Sequence, residues 1–153
     1  MSFRTTTIAL ATALAAAAAP AIAQDFDRVV KARQGQFSLN AIHIGTLGAM
    51  AKGDIPYDAD KAQTAADNLV AISRIDQAFL WPEGSDDASI EGTRALPVIW
   101  ENTDDFLSKW QDFGAAAVEM QKVAANGRAA LGPALGGLGD SCKACHEEYR
   151  AEE

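Results

Sequence analysis

Apolar residues recur every three or four positions along most of the chain, which is the spacing of one face of an α-helix. A sustained two-residue alternation of apolar and polar positions is absent. No Asn-Gly or Asp-Gly turn joins two alternating segments, as a β-hairpin would require. The pattern therefore predicts an all-α protein.

Gly and Pro residues interrupt the periodic pattern and divide it into four predicted helices. Asp58 is a suitable N-cap for the second helix, and Pro97 suits the first position of the third. Most connections are short, so neighbouring helices should run antiparallel. The sequence thus predicts an antiparallel up-down four-helix bundle, with helices at about residues 25–50, 58–80, 97–126 and 131–149.

The first 23 residues have the pattern of a secretory signal peptide. Arg4 is the only charged residue there, residues 8–19 form an apolar run, and small residues at 21 and 23 precede Gln24. A membrane helix is the alternative, but it needs about 20 apolar residues. We therefore expect a signal peptide at 1–23, followed by one domain at 24–153. The mature chain should be exported and not inserted in a membrane.

Composition narrows the possible functions. The chain has 153 residues, is 48% apolar and 22% charged, and carries a formal net charge of −8. Loss of Arg4 with the signal peptide would change this charge to −9, which argues against a nucleic-acid partner. Two cysteines and two histidines cannot form a disulfide-rich scaffold, a four-cysteine zinc site or an all-cysteine iron–sulfur cluster.

The segment Cys142-Lys143-Ala144-Cys145-His146 has the C-x-x-C-H attachment pattern of a c-type haem. Each thiol adds to one haem vinyl group, and the adjacent histidine ligates the iron. A thioredoxin-like redox pair would follow a β-strand, and a zinc site would need more ligands than His43 adds. A disulfide between residues three apart on a helix would be strained. We predict one haem c per chain, attached through Cys142 and Cys145, with His146 as the iron ligand.

With this motif on the last helix of a four-helix bundle, the chain resembles the cytochrome c′ family of class II c-type cytochromes. This resemblance implies a periplasmic, high-spin cytochrome that forms a homodimer through its first two helices. It covers nearly all of the mature chain. The segments that carry it are Arg33-Gln34 with Phe37, Ala51-Lys52-Gly53, Pro56-Tyr57-Asp58, Thr93, Ile99-Trp100, Phe106 and residues 142–150.

The bundle geometry predicts which end holds the haem. The fourth helix ends where the first begins, so His146 should lie near Phe37. Trp100 and Phe106 open the third helix at this end, and Phe79 closes the second helix there. We therefore expect these aromatic residues to gather around the haem.

The residue opposite the iron separates the branches of this family. Low-spin members have a methionine where this chain has Phe37, and phenylalanine has no donor atom. The resemblance therefore implies a five-coordinate iron with His146 on one side and Phe37 on a crowded, apolar distal face. The other possible donors are not expected to reach the iron. Met50 lies about 19 Å farther along the helix than Phe37, and Met120 is also at the far end. His43 points away from the face of Phe37.

The resemblance also assigns roles to residues near the haem edge. Arg33 and Gln34 would contact the propionates, although an exposed helical arginine is the alternative for Arg33. Thr93 matches a family position near the propionates, whereas Arg94 stands where relatives often have glutamate. Arg150 matches a basic residue that can modulate the histidine–iron bond, and it also suits a helix C-terminus as a cation.

These features favour gas binding as the first functional hypothesis. A crowded apolar distal face should admit nitric oxide or carbon monoxide, whereas dioxygen would lack a hydrogen-bond donor. The alternative is an electron carrier of a respiratory or photosynthetic chain, whose acidic surface would steer a basic redox partner. Peroxidase-like turnover would need a distal acid–base group, and none is visible at Phe37. We therefore do not expect an enzyme.

Overall fold

The computed structural model describes residues 19–152, with side chains from residue 26 onward. The predicted signal peptide lies outside the described residues, apart from the backbone of positions 19–23. No helix in the described part of the chain is long and apolar enough to cross a membrane.

Five helices account for most of the described residues. Residues Gln77–Phe79 form a separate 3-10 turn. Within the described range, extended pairing is limited to one isolated antiparallel bridge between Ala95 and Arg150. The helices are α1 (Ala19–Lys52), α2 (Ala59–Ser73), α3 (Val98–Glu101), α4 (Thr103–Val123) and α5 (Arg128–Tyr149).

The four long helices form a closed ring of neighbours, because α1 and α4 each pack against both α2 and α5. Neighbouring helices are antiparallel. The side chain of Arg128, at the start of α5, lies against Gly53 after the end of α1. Trp110 Nε1, in the first half of α4, donates to the carbonyl of Ser73 at the end of α2 (2.9 Å). The predicted up-down four-helix bundle is confirmed.

The larger core cluster extends towards the end of the bundle opposite His146. Met50 and Met120 are completely or almost completely buried there, packed among alanines and leucines from all four long helices. At the same end, the Tyr57 hydroxyl donates to the Ala124 carbonyl (2.9 Å) and accepts from the Gly127 N–H (3.0 Å). This end of the bundle is therefore filled and closed.

Two helix boundaries differ from the sequence prediction. The second helix ends at Ser73 rather than near residue 80, because Asp76 starts a new turn by accepting a hydrogen bond from the Ala78 N–H (2.9 Å). The third predicted helix is broken at Asn102, whose backbone leaves the helical region with φ −125° and ψ 44°. The Thr103 hydroxyl donates to the Ile99 carbonyl across this break (3.1 Å).

The long connection at residues 74–97 covers the other end of the bundle. It pairs with the C-terminal segment, where the Leu96 N–H donates to the Tyr149 carbonyl (3.1 Å) and the Ala151 N–H donates to the Arg94 carbonyl (2.9 Å). The connection is thereby held over the open end of the helices, where it forms one wall of a cavity.

Candidate haem-binding site

A cavity of about 710 Å³ lies at this end, between α1, α4, α5 and the connection at residues 74–97. Its volume falls in the usual range for pockets that hold small molecules and cofactors. The structure brings all eight residues singled out by the sequence to its lining: Arg33, Gln34, Phe37, Thr93, Cys142, Cys145, His146 and Arg150.

Helix α5 presents both thiols and the imidazole to this cavity, because positions three and four apart share one helix face. Both cysteines are free and partly buried. Burial raises the pKa of the Cys142 thiol, and it raises the pKa of the Cys145 thiol to about 11.

The surroundings of the His146 imidazole favour its neutral form. Burial lowers its pKa, and the positive charges of Arg150 and Arg94 lower it further. A neutral imidazole is the form that binds a metal. In the described range, no cluster of three or more His, Cys, Asp or Glu side chains could hold a metal ion by itself. Haem c is attached through two thiols on one helix turn and ligated by an adjacent imidazole, and this cavity presents all three groups.

Phe37 lies on the α1 wall of the cavity, close to His146. Their ring centroids are 6.5 Å apart, and Phe37 also meets Trp81 at 6.5 Å and Trp110 at 6.2 Å, edge to face in each case. Among the described residues that line the cavity there is no methionine, and His43 is also absent from the lining. The described cavity wall thus offers no thioether as a second axial ligand.

Arg33 is a buried cation beside the cavity, with an exposed fraction of only 3%. It donates to the Ser85 hydroxyl and carbonyl, both at 2.8 Å, and to the Thr93 hydroxyl at 3.3 Å. Its guanidinium also lies 4.4 Å from the centre of the Trp81 ring. The alternative of an exposed helical arginine is therefore wrong.

The charge of Arg33 has no carboxylate partner among the described residues. Burial lowers its pKa to about 10, so the guanidinium is still protonated at neutral pH. An unpaired buried charge is costly. The cavity wall is therefore suited to an anionic group, and the carboxylates of a haem supply one.

The neighbouring polar residues fix the mouth of the cavity. Gln34 donates to the Gly92 carbonyl at 2.6 Å, and the Thr93 hydroxyl also accepts from the Ala95 N–H at 3.2 Å. Arg94 lines the cavity and donates to the carbonyl of Ala151 through Nε at 2.8 Å and Nη2 at 2.5 Å. Arg150 lies on the lining with its side chain exposed.

The prediction that aromatic residues gather at this end is correct for Phe106 and Trp100 but not for Phe79. Phe106 lines the cavity, 4.6 Å from the ring of Trp81. Trp100 lies behind the lining, where its Nε1 donates to the Trp81 carbonyl (3.1 Å). The prediction for Phe79 is wrong. Because α2 ends at Ser73, Phe79 falls in the following 3-10 turn and is 83% exposed, beside a different surface depression.

Several lining residues escaped the sequence analysis. Trp81 and the supporting residue Ser85 lie in the connection, which has no periodicity to place them. Trp110 follows Phe106 by four positions, so the two residues share one helix face, and this spacing was a signal that could have been used. Asn40 lies three positions after Phe37, and a polar residue on that stripe was a signal that could have been used.

Tyr149 joins the cavity to an ionic network on the surface. Its hydroxyl donates to Asp105 Oδ2 at 2.6 Å. Lys109 lies between Asp105 (3.5 Å) and Glu148 (3.1 Å) and also lines the cavity. The hydrogen bond from Tyr149 is the main cause of the lowered Asp105 pKa, and the bond to Glu148 is the main cause of the raised Lys109 pKa.

Comparison with known proteins gives consistent matches. The family described as cytochrome c′ matches residues 28–150. Cytochrome c′ of Cereibacter sphaeroides is 39% identical over 145 residues, covering 95% of this chain and 97% of the relative.

Solved structures agree over a similar length. A cytochrome c′ from Rhodobacter sphaeroides matches with a TM-score of 0.80 and 38% identity, over 84% of this chain and 98% of that one. A nitric oxide complex of a mutant cytochrome c′ from Alcaligenes xylosoxidans matches with a TM-score of 0.72 and 33% identity, over 84% and 97%.

Proposed function

The chain belongs to the cytochrome c′ family, and from this premise we propose that it is a periplasmic, high-spin haem protein that binds small diatomic gases. The observation that carries the proposal is the cavity wall opposite the predicted ligand His146. Phe37 lies there, 6.5 Å from the imidazole, and the described lining offers no methionine.

Three residues of α5 would hold the cofactor. Cys142 and Cys145 would form the thioether links, and His146 would ligate the iron. When bound, haem c would supply an iron that takes small gas ligands. The Phe37 ring would not compete for that iron because it has no donor atom, and its bulk would limit the size of what enters the cavity. The cavity therefore favours nitric oxide and carbon monoxide.

Charge around the cavity supports the same assignment. Arg33 carries a buried positive charge that no described carboxylate neutralises, so it would hold a haem propionate. Gln34 and Thr93 flank it with hydrogen-bonding groups. Arg150 contributes to the lowered pKa of His146 and would thereby favour the neutral ligand form. The nitric oxide complex of the Alcaligenes xylosoxidans relative supports gas binding as the role of the site.

Gas titration of the reduced holoprotein tests this function. We expect the optical spectrum to change on addition of nitric oxide and of carbon monoxide. Phe37→Met should weaken carbon monoxide binding by about tenfold or more, because the new thioether competes for the same axial position. Phe37→Leu is the matched control, since it also removes the ring but adds no donor, and it should still bind both gases. A wild-type spectrum that neither gas changes would overturn the proposal.

An electron carrier is the second candidate, favoured by the acidic charge of the chain. Such a carrier would present its surface to a basic partner protein. It would differ from a gas-binding protein in having both axial positions filled by protein side chains, and its spectrum would then be insensitive to carbon monoxide.

We further propose that the mature protein is a homodimer. Leu39 and Ile42 lie on the outer face of α1 with exposed fractions of 49% and 61%, and Ile75, just after α2, is 44% exposed. Exposed apolar side chains in one region suggest a contact surface. A second copy of the chain would cover them.

A further inference from the structure

One polar side chain in the haem cavity has no role in the function proposed above. Asn40 lies three positions after Phe37 and seven after Arg33, so the three residues share one face of α1. Asn40 is only 7% exposed, and it lines the same cavity as Phe37 and His146. Asn40 is therefore a buried polar side chain on a cavity wall that was expected to be apolar around Phe37.

The amide of Asn40 lacks a hydrogen-bond partner. Its Oδ1 is the one buried side-chain nitrogen or oxygen without a partner in the described part of the chain. The nearby buried amides differ, because Gln36 and Gln77 bond to each other at 3.3 and 3.4 Å. Gln77 also accepts from Trp81 Nε1 at 3.1 Å. These groups are occupied, whereas Asn40 is not.

An unsatisfied buried amide costs folding free energy, so native proteins normally supply a partner. An asparagine amide carries both an acceptor oxygen and two N–H donors, and rotation of its last side-chain bond exchanges them. The Nδ2 of Asn40 has no acceptor among the described residues either, and because Asn40 lines the cavity, this N–H donor is available to a small molecule inside it. Such a partner must itself be polar.

We propose that Asn40 is the specificity-determining residue of the gas site and donates a hydrogen bond to the small ligand held beside Phe37. This inference rests on the proposed gas-binding function. A donor stabilises a ligand that gains negative charge, so Asn40 favours nitric oxide over carbon monoxide, which is less polarised. Phe37 then limits ligand size while Asn40 selects by polarity.

Infrared spectroscopy of the carbon monoxide adduct of the holoprotein, combined with gas dissociation rates, tests the inference. Asn40→Leu keeps the approximate volume and removes the amide. It should raise the C–O stretching frequency, because the donor that polarises the ligand is lost. It should also speed nitric oxide dissociation by about fivefold to tenfold, the loss expected for one hydrogen bond, with a smaller effect on carbon monoxide.

Ser38→Ala is the matched control. Ser38 lines the same wall, but its hydroxyl already donates to the Gln34 carbonyl at 2.7 Å. This variant should leave the C–O frequency and both dissociation rates unchanged. Asn40→Ala is a second variant without a donor and should shift the frequency in the same direction as Asn40→Leu.

The outcomes separate the two proposals. If wild-type protein binds both gases but the Asn40 variants match it in frequency and rates, the inference is overturned and the proposed function stands. If the Ser38 control shifts as much as Asn40→Leu, the effect comes from general disturbance of the wall, and the inference is also overturned. A wild-type protein that binds neither gas removes the proposed function and this inference together.

Discussion

At the scale of single residues, Tyr149 shows how a buried side chain controls the charge of an exposed one. Its hydroxyl lies 2.6 Å from Asp105 Oδ2, and this bond holds the pKa of Asp105 below its ordinary value of 3.8. A carboxylate with a lowered pKa stabilises the folded state above its unfolded pKa. That contribution is lost as the pH falls through the lowered folded pKa.

Replacing Tyr149 with phenylalanine should therefore raise the pKa of Asp105 towards 3.8. The variant should be less stable than wild type at neutral pH, and the difference should shrink as the pH falls below 3.8 and Asp105 becomes protonated in both proteins. Urea unfolding at neutral pH and at an acidic pH below 3.8 measures this. As a control, Asp105→Asn should abolish most of the pH dependence, and a Tyr149→Phe penalty that is equal at both pH values would contradict the account.

Residue types and their spacing were enough to predict which residues lie together in the cavity. The thiols, the imidazole, Arg33 and Phe37 all line one cavity, because the motif fixes α5 and the helical repeat fixes the face of α1. Asn40 lies on that same face, yet its lack of a partner could be seen only once its neighbours were placed. The burial of Arg33 likewise depends on Ser85 and Trp81, which come from the connection at residues 74–97.

At the scale of elements, periodicity predicted the four helices but not where two of them break. At the end of α2 the Asp76 side chain accepts from the Ala78 N–H, and at the break after α3 the Thr103 hydroxyl donates to the Ile99 carbonyl (3.1 Å); an apolar repeat carries no signal for such local hydrogen bonds. The connection at residues 74–97 is held by contacts to Arg33 and to the C-terminal segment, both far away in sequence. Phe79 was misplaced for this reason.

The turn between α4 and α5 gives a prediction at this scale. Gly127 has a φ of +100°, which side chains rarely adopt, so Gly127→Ala should destabilise the protein by about 1 kcal/mol. Gly136 is the matched control, because it lies inside α5 with no atom within 4 Å of where a Cβ would stand. Gly136→Ala should stabilise the protein by about 0.5–1 kcal/mol. Urea unfolding checks both, and equal signs for the two variants would contradict this reading.

At the scale of the whole molecule, the two ends of the bundle differ in how they are filled. One end is a filled core around Met50 and Met120, and the other encloses the cavity under the connection. The outer face of α1 keeps the apolar side chains of Leu39 and Ile42 in solvent. The proposed dimer would bury this face while leaving the cavity within each bundle.

Sedimentation of the mature protein tests that assembly. We expect a dimer, and Ile42→Glu should raise its dissociation constant by at least about tenfold, because it places a charge in an apolar contact. Ile55→Glu is the control, since Ile55 is 40% exposed in the turn after α1 and not on the face of Ile42. A dimer that Ile42→Glu leaves intact would place the interface elsewhere.

The electron paramagnetic resonance spectrum of the ferric holoprotein is the most direct test of the central claim, that His146 is the single protein ligand of the iron and Phe37 leaves the opposite position free. We predict a high-spin signal in the wild type and a low-spin signal in Phe37→Met. A low-spin signal in the wild type would mean that a second side chain binds the iron, and the protein would then act as an electron carrier.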